Sequence, residues 1–220
     1  MFNLASSSKK VYIVGSGGLA KEVYNLLMEH RVFSQESSKT IKFDFKGYLD
    51  EDYNKCSESK NIYHLSSTKL SQINGIVYIA IGDPKTKQRL RRALCTGHFL
   101  YLNCSWNKSN KKDQLKIGVG SIIFPNVIFT ANNKVGEFTT IYPNCTICHD
   151  TTIGDYCNIT PGVNIAGRCK IGNRVYLGIG SSISNDVNIC DDVIIGAGAV
   201  VVDSIKEPGT YVGVPARKIK

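Results

Sequence analysis

Residues 145–172 read CTICHDTTIGDYCNITPGVNIAGRCKIG, and the isoleucines Ile147, Ile153, Ile159, Ile165 and Ile171 fall six residues apart. The period runs on in both directions, from Ile117 through Ile123, Phe129, Val135 and Ile141 to Leu177, Ile183, Ile189, Ile195 and Val201, with no step missed. Two places before most of these stands a small or β-branched residue, such as Val127, Thr139, Cys145, Cys157, Val163 or Cys169. Positions i−2 and i point the same way on a strand, so each pair marks one short inward-facing segment. Glycine follows the large residue at Gly118, Gly136, Gly154 and Gly172, eighteen residues apart, which groups the sixes in threes. The pattern predicts a three-sided β-solenoid of about five coils, its centre filled by stacked Ile and Val columns.

The period also decides what CTICHD is. Cys-x-x-Cys-His has the spacing of c-type haem attachment, and Cys-x-x-Cys that of zinc or redox sites. Cys145 lies in the inward column, whereas Cys148, three places on, faces out, so the two thiols cannot converge on one metal or form a redox disulfide. An inward thiol is expected to act as a compact apolar residue. The first twenty residues hold only the apolar run VYIV before a glycine cluster, too short for a signal peptide or membrane span. A cytoplasmic protein with reduced cysteines and no membrane insertion is therefore expected. His149 is the only histidine after residue 98, which argues against a three-histidine zinc site, and no metal is expected. It falls where a strand turns the corner, exposed, with Asp150 either orienting its imidazole or serving only as a turn residue.

The 220 residues carry a net charge of +9, all of it in the front half: residues 1–116 hold 19 Lys/Arg against 10 Asp/Glu. The lysines are scattered and no nucleic-acid motif accompanies them, so a phosphorylated small molecule or plain solubility fits better than nucleic acid. In KKVYIVGSGGLAKEVYNLLMEH a strand at Val11 to Val14 leads into Gly15-x-Gly17-x-x-Ala20. A helical pattern of Leu19, Val23, Leu26, Leu27 and His30 follows. Backbone amides of such a turn cradle phosphate at a helix N-terminus. The acidic residue that holds ribose in NAD sites is missing about twenty positions on, where VFSQESSKT offers only Glu36; the first acidic cluster is Asp50-Glu51-Asp52, after IKFDFKGYL. A second strand, IVYIAIG, runs into Asp83-Pro84 and the basic helix KTKQRLRRAL, and FLYLN reads as a further strand. Three or so parallel strands make a Rossmann-like α/β half-domain, sized for a mononucleotide sugar. The expected division is 1–105 for this domain and 106–220 for the solenoid with its tail.

Together the motifs VGSGGLAKEV, YIAIGDPKTKQR, ICHDTTIGDYCNITPGVNIAG, KIGNRVYLGIGS, DDVIIGAGAVV and VGVPARKI resemble the sialic acid O-acetyltransferase NeuD family of hexapeptide-repeat sugar acyltransferases. The similarity is greatest to its PglD-like branch, which N-acetylates nucleotide-linked 4-amino sugars. The resemblance implies a left-handed parallel β-helix, a homotrimer, and acetyl-CoA in a groove between neighbouring β-helices. By the same resemblance His149 is the catalytic base and Asp150 the neighbour that raises its basicity, while Asn158, Gly167, Ile179 and Ala197 match the acetyl-CoA positions. Asn158 departs from a histidine associated with close relatives. Gly17, Gly18 and Leu19, Asp50 and Glu51, and Gly82 with Asp83 would hold the nucleotide-linked amino sugar, which is UDP-, dTDP- or GDP-linked. Direct attack of the sugar amine on the thioester is implied, with O-acetylation of a sialic-type sugar, or a non-catalytic solenoid that binds, as alternatives.

Overall fold

In the computed structural model the described residues are 9–29, 32–34, 37–41, 43–52, 54, 61–65, 73, 75–94, 99–104 and 115–220. They form two compact units, one of Met1–Ile81 with Arg89–Leu100 and one of Gly82–Gln88 with Tyr101–Lys220. His30 and Glu36 of the sequence reading lie outside the described residues.

The first unit is built on a parallel four-stranded sheet of β1 (Lys9–Val14), β4 (Phe43–Asp50), β5 (Ile62–His64) and β6 (Ile76–Ile79), in the order β5-β4-β1-β6. A separate antiparallel pair, β2 (Val32–Ser34) and β3 (Ser37–Ile41), precedes β4. Val11, Ile13, Val14, Leu49 and the whole of β6 are buried, as expected of parallel strands covered on both faces. Helix α1 (Gly18–Glu29) packs on β1 and β4 through Ala20, Val23, Leu26 and Leu27. The chain fills one side of β1 with β4 and β5, then crosses to the other side for β6. The strand order therefore reverses between β1 and β6, and such a reversal opens a ligand crevice beyond the C-terminal strand ends. Helix α2 (Pro84–Ala93) follows β6.

The second unit is the solenoid. Its two-residue strands repeat in register every eighteen residues, as in Thr146↔Asn164 and Ile147↔Ile165. Two faces have five strands each, but the solenoid as a whole runs past the expected five coils. The third has eight, because β7 (Leu102–Asn103) adds to one end and β23 (Gly209–Val212) and β24 (Arg217–Lys218) to the other, so the structure is longer along this face than the repeat count alone predicts. FLYLN thus supplies a strand to the solenoid and not to the front sheet. The predicted Ile, Val and Leu columns form one buried core from Ile123 to Ile205, and each fully buried Ile or Leu contributes about 1.5–3 kcal/mol.

The small inward column is more polar than expected. Ser121, Thr139, Thr151, Cys145, Cys157 and Cys169 each donate a hydroxyl or thiol hydrogen to the carbonyl fifteen residues ahead, at 2.7–3.1 Å. The cysteines are therefore hydrogen-bonding members of a Ser/Thr/Cys ladder, and burial raises the thiol of Cys145 to about 11 and that of Cys157 to about 12.

Every corner is made by one residue in left-handed backbone, six residues after the last. They include Asn126, Asn132, Phe138, Asn144, Asp150, Tyr156, Arg168, Arg174, Asp186 and Asp192, with Gly120, Gly162, Gly180 and Gly198 completing the series. A non-glycine residue there is strained by about 1–2 kcal/mol. Contacts between successive coils offset this: the rings of Phe138 and Tyr156 stack at 5.5 Å, and Arg174 bonds Asp192 through both Nε and a terminal nitrogen.

Candidate active site

His149 and Asp150 stand at one such corner, their side chains 47% and 48% exposed. Asp150 has φ 58°, so it is the turn residue and the imidazole's partner at once. His149 Nδ1 lies 2.8 Å from Asp150 Oδ2, and Asn132 Nδ2 donates to Asp150 Oδ1 at 3.0 Å. The Asn132 amide, then the imidazole, hold the Asp150 carboxyl below its ordinary pKa. With Asp150 ionised and accepting at Nδ1, the lone pair of a neutral imidazole sits on Nε2, the arrangement a general base needs. The other edge of the ring lies across Gly167, one coil on. The next residue, Arg168, donates its backbone N–H to the His149 carbonyl at 2.9 Å and fixes the two coils together there. A side chain at position 167 would fill the space the imidazole occupies.

Cys148 is half-buried beside His149, while Cys145 is fully buried in the ladder, as the alternation requires. Among the described residues no group of three or more His, Cys, Asp or Glu side chains gathers as a metal site.

Of the other positions matched to acetyl-CoA, Ile179 is 61% exposed and Ala197 is exposed, so both present surface to a ligand. Asn158 does not. It is 2% exposed, its Oδ1 has no hydrogen-bond partner, and Gly82 is the nearby residue that leaves room above its Nδ2. A direct contact between Asn158 and an external cofactor does not fit this arrangement.

Within the first unit, Gly17 and Gly18 are exposed at the end of the turn, Leu19 is half-buried, and a Cβ at either glycine would meet nothing within 4 Å. Gly15 is different: it has φ 101°, and a Cβ there would lie 2.8 Å from the Ala80 carbonyl. Ser16 donates its hydroxyl to Asp50, which ties the acidic cluster to the glycine turn. Glu51 is held by both terminal nitrogens of Arg89, at 2.8 and 2.6 Å, and that pairing lowers its pKa. In the second unit Asp83 caps α2, its Oδ1 accepting from the Thr86 N–H at 2.7 Å.

The sequence reading passed over Lys87. It is 1% exposed, and its Nζ donates to Thr140 Oγ1 at 3.0 Å and to the Cys157 carbonyl at 3.3 Å. Desolvation pushes its pKa down to about 7. The signal was present in the helix period: Pro84, Lys87 and Leu90 share the buried face of α2, with Leu94 continuing it just past the helix end.

Comparison with known proteins places both units. Residues 10–94 match the PglD N-terminal domain, and residues 134–167 and 168–203 match bacterial transferase hexapeptide repeats. No match is found among curated proteins. Among solved structures, the GDP-perosamine N-acetyltransferase PerB of Caulobacter crescentus, in complex with CoA and GDP-perosamine, is 23% identical over 100% of both chains with a TM-score of 0.77. WeeI of Acinetobacter baumannii is 25% identical over 95% of this chain and 99% of its own, with a TM-score of 0.75. The acetyltransferase domain of PglB from Neisseria gonorrhoeae, in complex with acetyl coenzyme A, is 19% identical over 97% and 100%, with a TM-score of 0.73.

Proposed function

We propose that this chain, PglD-like in joining a PglD-type N-terminal domain to hexapeptide repeats, transfers the acetyl group of acetyl-CoA to the 4-amino group of a nucleotide-linked deoxy sugar. The observation that carries the reading is His149, its Nδ1 on Asp150 and its other edge over Gly167 at an exposed corner. The similar PerB structure, with CoA and GDP-perosamine, supports the choice of both substrates.

A sugar amine is mostly protonated near neutral pH, and an ammonium cannot attack. The neutral amine adds to the thioester carbonyl, and His149 takes a proton from that nitrogen as the C–N bond forms, the charge on the imidazolium being balanced by Asp150. Collapse of the tetrahedral intermediate breaks the C–S bond, and the proton passes from His149 to the departing CoA thiolate, which leaves as the free thiol. Acetyl-CoA supplies an already activated thioester, so positioning matters as much as base catalysis. Gly167, Ile179 and Ala197 are the residues proposed to line its site. The glycine turn, with Asp50 and Glu51 and with Gly82 and Asp83, is proposed to hold the nucleotide sugar. A homotrimer completes the reading: Ile179 and Ile194, 61% and 47% exposed, give a neighbouring solenoid apolar surface to cover. Among the described residues no helix is long and apolar enough to cross a membrane.

The test is thiol release from acetyl-CoA against a panel of UDP-, dTDP- and GDP-linked 4-amino sugars, with sialic-type sugars beside them. Turnover confined to the amino sugars supports the reading. Turnover on sialic-type hydroxyls alone, or on no sugar of either kind, overturns it.

A further inference from the structure

The corner that carries Asp150 recurs every eighteen residues as Asn132, Asp150, Arg168 and Asp186, with φ of 55°, 58°, 59° and 63°. The four side chains pair in twos along this edge. Arg168 donates to both oxygens of Asp186, Nε to Oδ1 at 2.7 Å and a terminal nitrogen to Oδ2 at 2.8 Å. Asn132 instead donates to Asp150 Oδ1, while Asp150 Oδ2 faces His149 Nδ1. A half-exposed carboxylate on a corner would otherwise swing between rotamers and be drawn to Arg168, whose charge acts on it. Asp186 occupies that guanidinium and also faces His149 electrostatically. Asn132 grips the carboxylate on the oxygen His149 does not use.

We infer that Asn132 is a positioning residue: acting through Asp150, its amide keeps the His149 proton on Nδ1 and the lone pair on Nε2. The inference rests on the reading of His149 as the base, and it extends the dyad to a three-residue chain spanning two coils. The left-handed backbone at position 132 by itself favours asparagine, so the test must separate the amide from the backbone.

Glycine adopts this backbone freely. Asn132→Gly therefore removes the donor and leaves the corner intact, and Asn132→Asp keeps the shape but offers an oxygen where the donor was. Asn144→Gly makes the same backbone change on another edge, where φ is 62°. The readout is the tautomer of the neutral His149 imidazole by ¹⁵N NMR on the full-length protein without substrate, its resonances identified by their loss in His149→Ala. The wild type and Asn144→Gly are expected to hold the Nδ1–H form. Both Asn132 variants are expected to relax toward the mixture of free imidazole, and kcat in the acetyl-transfer assay to fall about fivefold at unchanged KM for acetyl-CoA. Retention of the wild-type tautomer in both Asn132 variants, or an equal shift in Asn144→Gly, overturns the inference. Because the tautomer is read without turnover, an absence of acetyl transfer would count against the proposed function alone.

Discussion

Gly167 lies one coil beyond His149, and a methyl group built on its Cα would come within 2.6 Å of both Cε1 and Nε2 of the imidazole. Its φ is not in the left-handed range, so alanine is compatible with the backbone. Gly167→Ala should therefore fold, with its melting temperature close to the wild type, while the displaced imidazole lowers kcat at least tenfold. A fully active Gly167→Ala would show that the ring need not lie there.

His149→Ala should lower kcat by about a hundredfold or more, the scale of a positioned general base, with little change in acetyl-CoA affinity. Asp150→Asn should cost less, since the imidazole stays, and Cys148→Ser should be nearly silent. The order of the three in steady-state assays is the check. Loss of turnover in Cys148→Ser with retention in His149→Ala would identify a thiol site instead.

Gly17→Val is expected to raise the KM for the nucleotide sugar at least tenfold and to leave that for acetyl-CoA unchanged. The added atoms at position 17 enter open space in the free protein, so folding is spared and only the approach of phosphate to the backbone is blocked. Gly15→Ala should fail by misfolding, because φ 101° and the Ala80 carbonyl both oppose a side chain. Thermal melts of the two variants separate these effects.

Lys87 makes stability depend on pH in a direction unusual for a surface lysine. Its pKa falls from 10.5 in the unfolded chain to about 7 in the folded one. Between those values the unfolded chain binds the extra proton, so stability rises as pH goes from about 7 toward 10, and the full penalty, on the order of 5 kcal/mol, is present below 7. Lys87→Met removes the penalty at a smaller cost in the unpaired Thr140 hydroxyl. Its stability advantage in urea melts should be greatest near pH 6 and shrink steadily toward pH 10.

Cys145→Ser should cost no more than about 1 kcal/mol in denaturant melts, because the hydroxyl inherits the carbonyl of Thr160 as acceptor. Serine and threonine already fill the same role at Ser121, Thr139 and Thr151.

What the sequence made legible was what repeats by polarity. The large column from Ile117 to Val201 located the core, and the glycine turn after β1 located the front sheet, because both depend on local spacing. The corners were harder to read. Phe138, Tyr156, Arg168 and Arg174 rarely adopt left-handed backbone, and only partners eighteen residues away make them tolerable there. The same distance hid the role of Asn132 and the thiol ladder, whose acceptors belong to other coils. FLYLN read correctly as strand, yet no local pattern tells which sheet a two-residue strand will join. The burial of Asn158 arises from contacts within the second unit, with Gly82 beside its Nδ2, which no single-segment period reports, whereas the burial of Lys87 follows the period Pro84, Lys87, Leu90 and is masked only by its charge.

Register between coils has a consequence for length. Each strand pairs with the one eighteen residues away, residue for residue, as in Ile141↔Ile159 and then Ile159↔Leu177. One extra residue within a face would turn an inward side chain to solvent and offset every corner after it. Removing eighteen consecutive residues instead rejoins equivalent points of the lattice and shortens the axis by one strand spacing, about 4.8 Å. The solenoid can therefore change size only in whole coils, and a segment such as 170–187 can be excised while the corner at His149 keeps both the coil before it and the coil after it.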